Sequence, residues 1–285
     1  MRVDAHQHFW DPARYSYPWM AGPLMDPVRR AFGPDDLRDV LLASGIDRTV
    51  LVQTLSSPAE TREFLRLDAE FVAGVVGWVD LTSPTVGDDL DELLACPGRL
   101  VGIRHQVHDE PDPDWLLRDD VRRGLAAVQH RGLVYDVLVR ARELPAAVVT
   151  AQAFPELQFV LDHIAKPRIV DGADPAWSKL MPGLAAAPNV AVKLSGMVTE
   201  ADWSSWTADD LRPFVERVVG WFGTERLLFG SDWPVCLLAG SYGEVMAGLD
   251  DALSLSAGER EDLYGGNACR VYSLPTDSRR SSRAR

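Results

Sequence analysis

Arg2-Val3-Asp4-Ala5-His6-Gln7-His8 is a short run in which apolar Val3 and Ala5 lead to two imidazoles two positions apart. Side chains two apart on a strand share a face, so a strand here points His6 and His8 into one space at its carboxyl end. Similar β-branched or apolar runs recur, and candidate strands are read over 2–6, 49–54, 72–79, 100–104, 133–139, 157–163, 190–195 and 227–230. The intervening segments have helical spacing and cap signals. Ser57-Pro58-Ala59-Glu60 reads as an N-cap, a first-turn proline and the Glu of a capping box, leading into Phe64, Leu67 and Phe71. Thr207-Ala208-Asp209-Asp210 repeats the signal with Asp for Glu, ahead of Leu211, Phe214, Val215 and Val218; Asp35-Asp36 opens another helix, which Gly45 closes. Strands alternating with helices, with no polar linker between, predict one closed or doubly wound parallel sheet. Eight strands in 285 residues match a single (β/α)8 barrel, a fold that takes about 250.

Composition narrows the function. Acidic residues outnumber basic ones by 42 to 29, and a formal charge of −13 disfavours nucleic acid and anionic membranes as partners. The opening residues lack the apolar segment of a signal peptide, and no run of about 18 apolar residues follows. Cys96, Cys236 and Cys269 form no CxxC pair, so neither a disulfide framework nor a thiolate zinc site is expected, and a reducing cytoplasm is. Residues 275–285 are basic and have nothing apolar to bury; they read as a disordered tail after a domain spanning 1–274.

His163 follows Leu157-Gln158-Phe159-Val160-Leu161, and Asp232 follows Leu227-Leu228-Phe229-Gly230-Ser231, so both fall at carboxyl ends of predicted strands. With His6 and His8, three distant elements deliver three imidazoles and a carboxylate to the face where barrel enzymes keep their chemistry. The alternative for the first pair is two histidines satisfied by backbone and carboxylate partners. Arg104 and His105 suit a carbonyl or hydroxyl oxygen of a substrate, Arg104 alternatively a salt bridge inside the barrel. Tyr135 reads as a pore-facing hydroxyl or a packed core side chain. Lys166 reads as a substrate-binding cation or a surface charge. Tyr17-Pro18-Trp19-Met20, with Phe9 and Trp10, either closes Trp19 over a small ring or packs a long loop. His108, in a polar loop, and His130, at a helix exit, look bland.

Asp4-Ala5-His6-Gln7-His8-Phe9-Trp10, Gly102-Ile103-Arg104-His105, Leu161-Asp162-His163-Ile164-Ala165-Lys166-Pro167, Leu228-Phe229-Gly230-Ser231-Asp232-Trp233-Pro234 and Gly266-Asn267-Ala268-Cys269-Arg270-Val271-Tyr272 together resemble the amidohydrolase superfamily. More narrowly, they resemble its amidohydrolase-related branch of sugar-lactone hydrolases, the L-fuconolactonase and L-rhamnonolactonase type. The resemblance covers residues 2–274 and implies a distorted (β/α)8 barrel that opens a small lactone by water attack. It implies Asp232 as general base and His163 beside it as catalytic, with His6, His8, His163 and Asp232 around the reacting centre. Binuclear members carry a carboxylated lysine after a middle strand and a further histidine. Here that strand reads Leu133-Val134-Tyr135-Asp136-Val137 and no histidine follows His163, so at most one divalent ion, zinc or manganese, is expected. Lactonases of this branch also include metal-independent ones. The alternatives are a metal-dependent decarboxylase on the same barrel and a non-catalytic sugar-acid binding barrel.

Overall fold

A computed structural model describes residues 1–275. Eight parallel strands lie side by side in chain order: β1 (Val3–Gln7), β2 (Arg48–Val52), β3 (Val72–Gly77), β4 (Leu100–Gln106), β5 (Val134–Leu138), β6 (Phe159–Leu161), β7 (Val190–Leu194) and β8 (Leu227–Phe229). A helix follows each in turn: α1 (Pro34–Ser44), α2 (Pro58–Phe64), α3 (Val86–Leu94), α4 (Asp119–His130), α5 (Leu144–Ala153), α6 (Pro175–Ala185), α7 (Ala208–Phe222) and α8 (Tyr242–Ala252). This is the expected (β/α)8 barrel. It is distorted at its seam, where closure falls beyond the end of β8: His8 N–H donates to Trp233 O at 2.7 Å, and Asp232 N–H to His6 O at 2.9 Å. The tail expected over 275–285 lies outside the described residues, Pro275 excepted.

Local chemistry sets the helix starts. Pro34 occupies the first turn of α1 with Asp35 and Asp36, and Gly45 ends the helix in the left-handed region at φ 65°. Thr207 N–H donates to Asp210 Oδ2 at 2.8 Å, the capping box read from the sequence. The box expected at Ser57 is half formed. Ser57 accepts the Glu60 N–H, but the Glu60 carboxylate turns inward and accepts the Thr54 and Leu55 N–H groups at 2.8 and 2.9 Å. Those buried donors at the end of β2 hold it more strongly than a solvent-facing cap could.

The lower half of the barrel is apolar. Val3, Ala5, Val50, Val76, Val101, Val134, Val160, Ala191 and Leu228 fill it, and Tyr272 and Leu274 join from the last described segment. Alternation along β4 and β5 corrects two expectations. Tyr135 faces outward and packs edge-on against Phe159, its hydroxyl buried without a hydrogen-bond partner. His105 also faces outward and stacks on Trp115 with ring centroids 4.3 Å apart. His105 Nδ1 accepts from Trp78 Nε1 at 3.0 Å and its Nε2 donates to Glu110 at 2.8 Å, so both nitrogens are engaged away from the pocket.

The register of β1 on β2 shifts between Asp4 and Gln7. Val3 and Ala5 face the inner core, and past the shift His6 and His8 face inward too, while Asp4 points out toward α8. Its carboxylate accepts from His6 N–H (3.0 Å), Ser231 N–H (2.9 Å), Ser231 Oγ (2.6 Å) and Tyr242 OH (3.0 Å), tying β1 to the segment after β8. Asp4→Ala would orphan these buried donors at about 1–3 kcal/mol for each group left unpaired. We therefore expect a stability loss of at least about 3 kcal/mol in urea titrations; a loss below about 1 kcal/mol would show that closure does not depend on Asp4.

Candidate active site

β6 ends at Leu161, two residues short of the predicted strand end, because the chain turns left-handed. His163, Ile164, Ala165 and Lys166 take φ values of 52°, 48°, 62° and 48°. Left-handed backbone costs an L residue about 1–2 kcal/mol, and Ile164 is β-branched as well. The turn is held by Trp177 of α6, whose Nε1 donates to Ile164 O at 2.6 Å, and by Lys166 N–H to His163 O at 2.8 Å. It presents His163 and Lys166 to the same pocket. Asp232, at φ 57°, is turned in the same unusual way after β8.

Sequence reasoning expected His6, His8, His163 and Asp232 to converge, and the fold brings them together. His6 Nε2 is 3.1 Å from His8 Nε2; Asp232 Oδ1 lies 3.7, 3.4 and 4.0 Å from Nε2 of His6, His8 and His163. All four are buried. Burial drives the imidazole pKa values below their usual range, so the rings are neutral at neutral pH. Burial also pushes the Asp232 carboxyl up, but its polar neighbours, the cation Lys166 among them, more than offset it and hold the group below the ordinary carboxylate value. His8 Nδ1 is 2.7 Å from Val52 O. A carbonyl only accepts, so the proton is on Nδ1 and Nε2 offers a lone pair to the site. His163 Nδ1 is held 2.9 Å from Ser195 Oγ.

Beneath the cluster lies a buried ionic network. Asp162 takes Arg104 Nη1 at 3.0 Å on Oδ2 and Lys193 Nζ at 2.9 Å on Oδ1, with His6 Nδ1 3.3 Å from that same oxygen. Lys193 also reaches Asp136 at 2.5 Å and His6 Nδ1 at 3.1 Å, and Tyr272 OH donates to Asp136 at 2.8 Å. Arg104 is therefore both things the sequence allowed, a salt-bridged residue inside the barrel and part of the pocket wall. Asp136, Asp162 and Lys193 were missed. The available signal was a lone charge inside an otherwise apolar strand, as in Val190-Ala191-Val192-Lys193-Leu194, which marks a buried, paired ion.

A pocket of about 380 Å³ opens above the cluster. His8, His163 and Asp232 form part of its wall together with Arg104, Lys166 and Trp19; Tyr135 and His105 do not. Trp19 packs on Trp10, centroids 5.2 Å apart, so the aromatic cluster both packs the loop and lines the pocket. His108, passed over as bland, also lines it, as do Arg140 and Glu200. These loop residues carry no periodicity that could single them out.

The donor set suits one divalent ion. Neighbouring ligand atoms of a tetrahedral zinc site are about 3.3 Å apart, given bonds of about 2.0–2.1 Å, close to the 3.1–3.7 Å among His6, His8 and Asp232. Two cations, Arg104 and Lys193, face three carboxylates, Asp136, Asp162 and Asp232, across neutral imidazoles. A second grouping of His6, Asp162 and His163 is also close enough, but Asp162 is already taken by the two fixed cations, which oppose a second ion.

A barrel with histidines and an aspartate gathered at the carboxyl ends of β1, β6 and β8 defines a hydrolase-type centre. The chain belongs to the amidohydrolase family, whose model matches residues 3–274. It is 42% identical to an L-fucono-1,5-lactonase of Burkholderia ambifaria over 97% of either chain, and 40% identical to one of Burkholderia multivorans over 96% of this chain and 97% of that relative. The structure of a Burkholderia multivorans amidohydrolase with bound zinc superposes with a TM-score of 0.90 at 40% identity, covering 96% of this chain and all of that one.

Gly196 follows β7 at φ 59°, and a Cβ there would lie 2.5 Å from His163 Nδ1 and 3.1 Å from Asp232 Oδ2. Gly196→Ala is expected to displace both groups and to lower turnover by at least about a hundredfold. A circular-dichroism spectrum like that of the parent would keep the loss local; wild-type turnover would show that His163 need not be where it stands.

Proposed function

We propose that this protein hydrolyses a small sugar aldonolactone of the L-fuconolactone or L-rhamnonolactone type, opening the ring ester by water attack. The relatives named L-fucono-1,5-lactonase support the substrate class. The observation that carries the chemistry is the ionised carboxylate of Asp232 at the pocket floor among three neutral imidazoles. Kept ionised, Asp232 accepts a proton from the attacking water and returns it to the ring oxygen as the ester C–O bond breaks. Arg104 and Lys166, both in the wall, supply positive charge where the carbonyl oxygen becomes negative. His163 shapes the approach to Asp232, and Trp19 covers the pocket from the side.

His8 has no proton on Nε2 and cannot donate a hydrogen bond to the carbonyl oxygen. Its lone pair, with His6, His163 and Asp232, would hold one zinc or manganese ion. Such an ion would acidify water and polarise a carbonyl. Cys96, Cys236 and Cys269 are free thiols, consistent with work in a reducing cytoplasm.

A pH-indicator screen of aldono-1,4- and 1,5-lactones tests the reading, and no turnover of any member would sink it. With the best lactone, Asp232→Asn should fold normally and lose about 10²–10⁴ in kcat; turnover at the parental rate would remove Asp232 as base. The required state is ionised Asp232 beside neutral histidines, and the lowered pKa values of both keep it in force below the range where a free histidine titrates. The rate should therefore stay level through neutral pH and fall only below the free-histidine value of about 6.5. An acid limb centred near pH 6.5, the value of a free histidine, would contradict this. Elemental analysis of active protein should find no more than one divalent ion per chain.

A further inference from the structure

The pocket wall is divided by chemistry, and the division follows the barrel. Above the floor of His8 and Asp232, the loops after β8 and β1 meet the pocket only with apolar side chains: Val235 and Leu238 from the first, Trp19 and Met25 from the second. The loops after β5, β6 and β7 bring Arg140, Lys166 and Glu200, together with Trp203. Both apolar loops are pinned. Past Asp232 the chain turns at once through Val235–Leu238, with Cys236 N–H donating to Asp232 O at 2.9 Å and Trp206 Nε1 to Ala239 O at 2.7 Å. Pro23–Val28 packs against that turn. Its own loop is fastened by Arg29 Nη2 donating to Met20 O at 2.8 Å and Trp10 Nε1 to Val28 O at 3.0 Å. Met25, Val235 and Leu238 each keep part of their surface open. The apolar sector therefore begins three residues from the carboxylate that carries the proton.

We propose that Met25, Val235 and Leu238 form a subsite for a methyl group, which selects a deoxy sugar lactone over the congener with a hydroxymethyl group in the same place. The proposal rests on the lactonase reading and deepens it. In that reading Asp232 protonates the ring oxygen, while Arg104 and Lys166, from the β4 and β6 sides, face the carbonyl oxygen. Two carbons flank the ring oxygen of a lactone: the carbonyl carbon and, on the far side, the carbon that carries the exocyclic group. With the carbonyl turned toward the two cations, the exocyclic group is turned toward the loops after β8 and β1. A methyl there buries apolar surface against apolar surface. A hydroxymethyl would give up hydrogen bonds to water and find little in return, since Val235 and Leu238 have no polar side-chain atom and the Met25 thioether is a weak acceptor. The ring hydroxyls fall on the other side, where Arg140 and Lys166 donate and Glu200 accepts.

Substrates that differ only in this group test the subsite. L-Fucono-, L-galactono- and D-arabinono-1,5-lactone share the configuration of their ring hydroxyls and carry a methyl, a hydroxymethyl and a hydrogen at the carbon in question. L-Rhamnono-, L-mannono- and L-lyxono-1,5-lactone repeat the series in a second configuration. In the series the protein accepts, kcat/KM should be about tenfold or more higher for the methyl member than for either of the others. Leu238→Asn and Val235→Thr nearly keep side-chain volume and add polar atoms. The methyl-to-hydroxymethyl ratio should fall at least about threefold in one or both. Both lactones are compared on one enzyme preparation, so a partly unfolded variant leaves the ratio untouched; if either variant fails to fold, Met25→Gln takes its place. A parent that turns over the hydroxymethyl member as fast as the methyl one, or a ratio unchanged in both variants, would overturn the subsite and leave the lactonase reading intact. No turnover of any lactone would bring down both.

Discussion

Asp162 is the group on which the site depends. Its two oxygens are claimed by Arg104 and Lys193, at 3.0 and 2.9 Å, and His6 rests against one of them. Burial alone would push this carboxyl up, but Lys193, His6 and Arg104 hold it well below the usual carboxylate range. The arrangement is a poor source of net stability, because desolvating the ions offsets most of their attraction. What it supplies is position. With Asp162 ionised between two cations, His6 is hemmed in from below and Arg104 is aimed into the pocket. Removing any one member would leave an uncompensated charge in a place water does not reach, at about 3–5 kcal/mol.

Strain is concentrated at the same mouth. Four consecutive left-handed residues carry His163 and Lys166, and Asp232 is left-handed too. Such backbone persists only where its surroundings over-determine it. Here Trp177, fully buried, grips the carbonyl of Ile164, and the Asp232 amide is fixed to His6 O. The barrel below is packed with small β-branched and apolar side chains, and it gives these turns a rigid base. The mouth thus combines neutral imidazoles, one ionised carboxylate and paired cations in an enclosed pocket, where preorganised charge acts more strongly than in water.

Much of this was legible in the chain. Eight apolar runs separated by helical periods determine a (β/α)8 barrel, since strands buried on both faces need helices over them and parallel strands need crossovers. His6, His8, His163 and Asp232 were legible because each ends such a run or lies within two residues of its end, and a barrel gathers those ends at one mouth. The spacing of His6 and His8 by itself placed the two imidazoles on one face.

Which face, and which neighbours, only the tertiary structure decided. Strict alternation from Val3 and Ala5 would have sent His6 outward; the register shift in β1 reverses that, and a shift depends on pairing with β2, not on the residues of β1 alone. Tyr135 and His105 sit one position away from the inward-facing Asp136 and Arg104, so a single step of strand phase, invisible in sequence, placed both against the helices. The left-handed turn after Leu161 ended β6 early because Trp177, on the next helix, holds it. Lys193, Asp136 and Tyr272 come from three distant segments, and His108 and Glu200 from two loops. Their pairing is a matter of distance in space, which composition and periodicity do not encode.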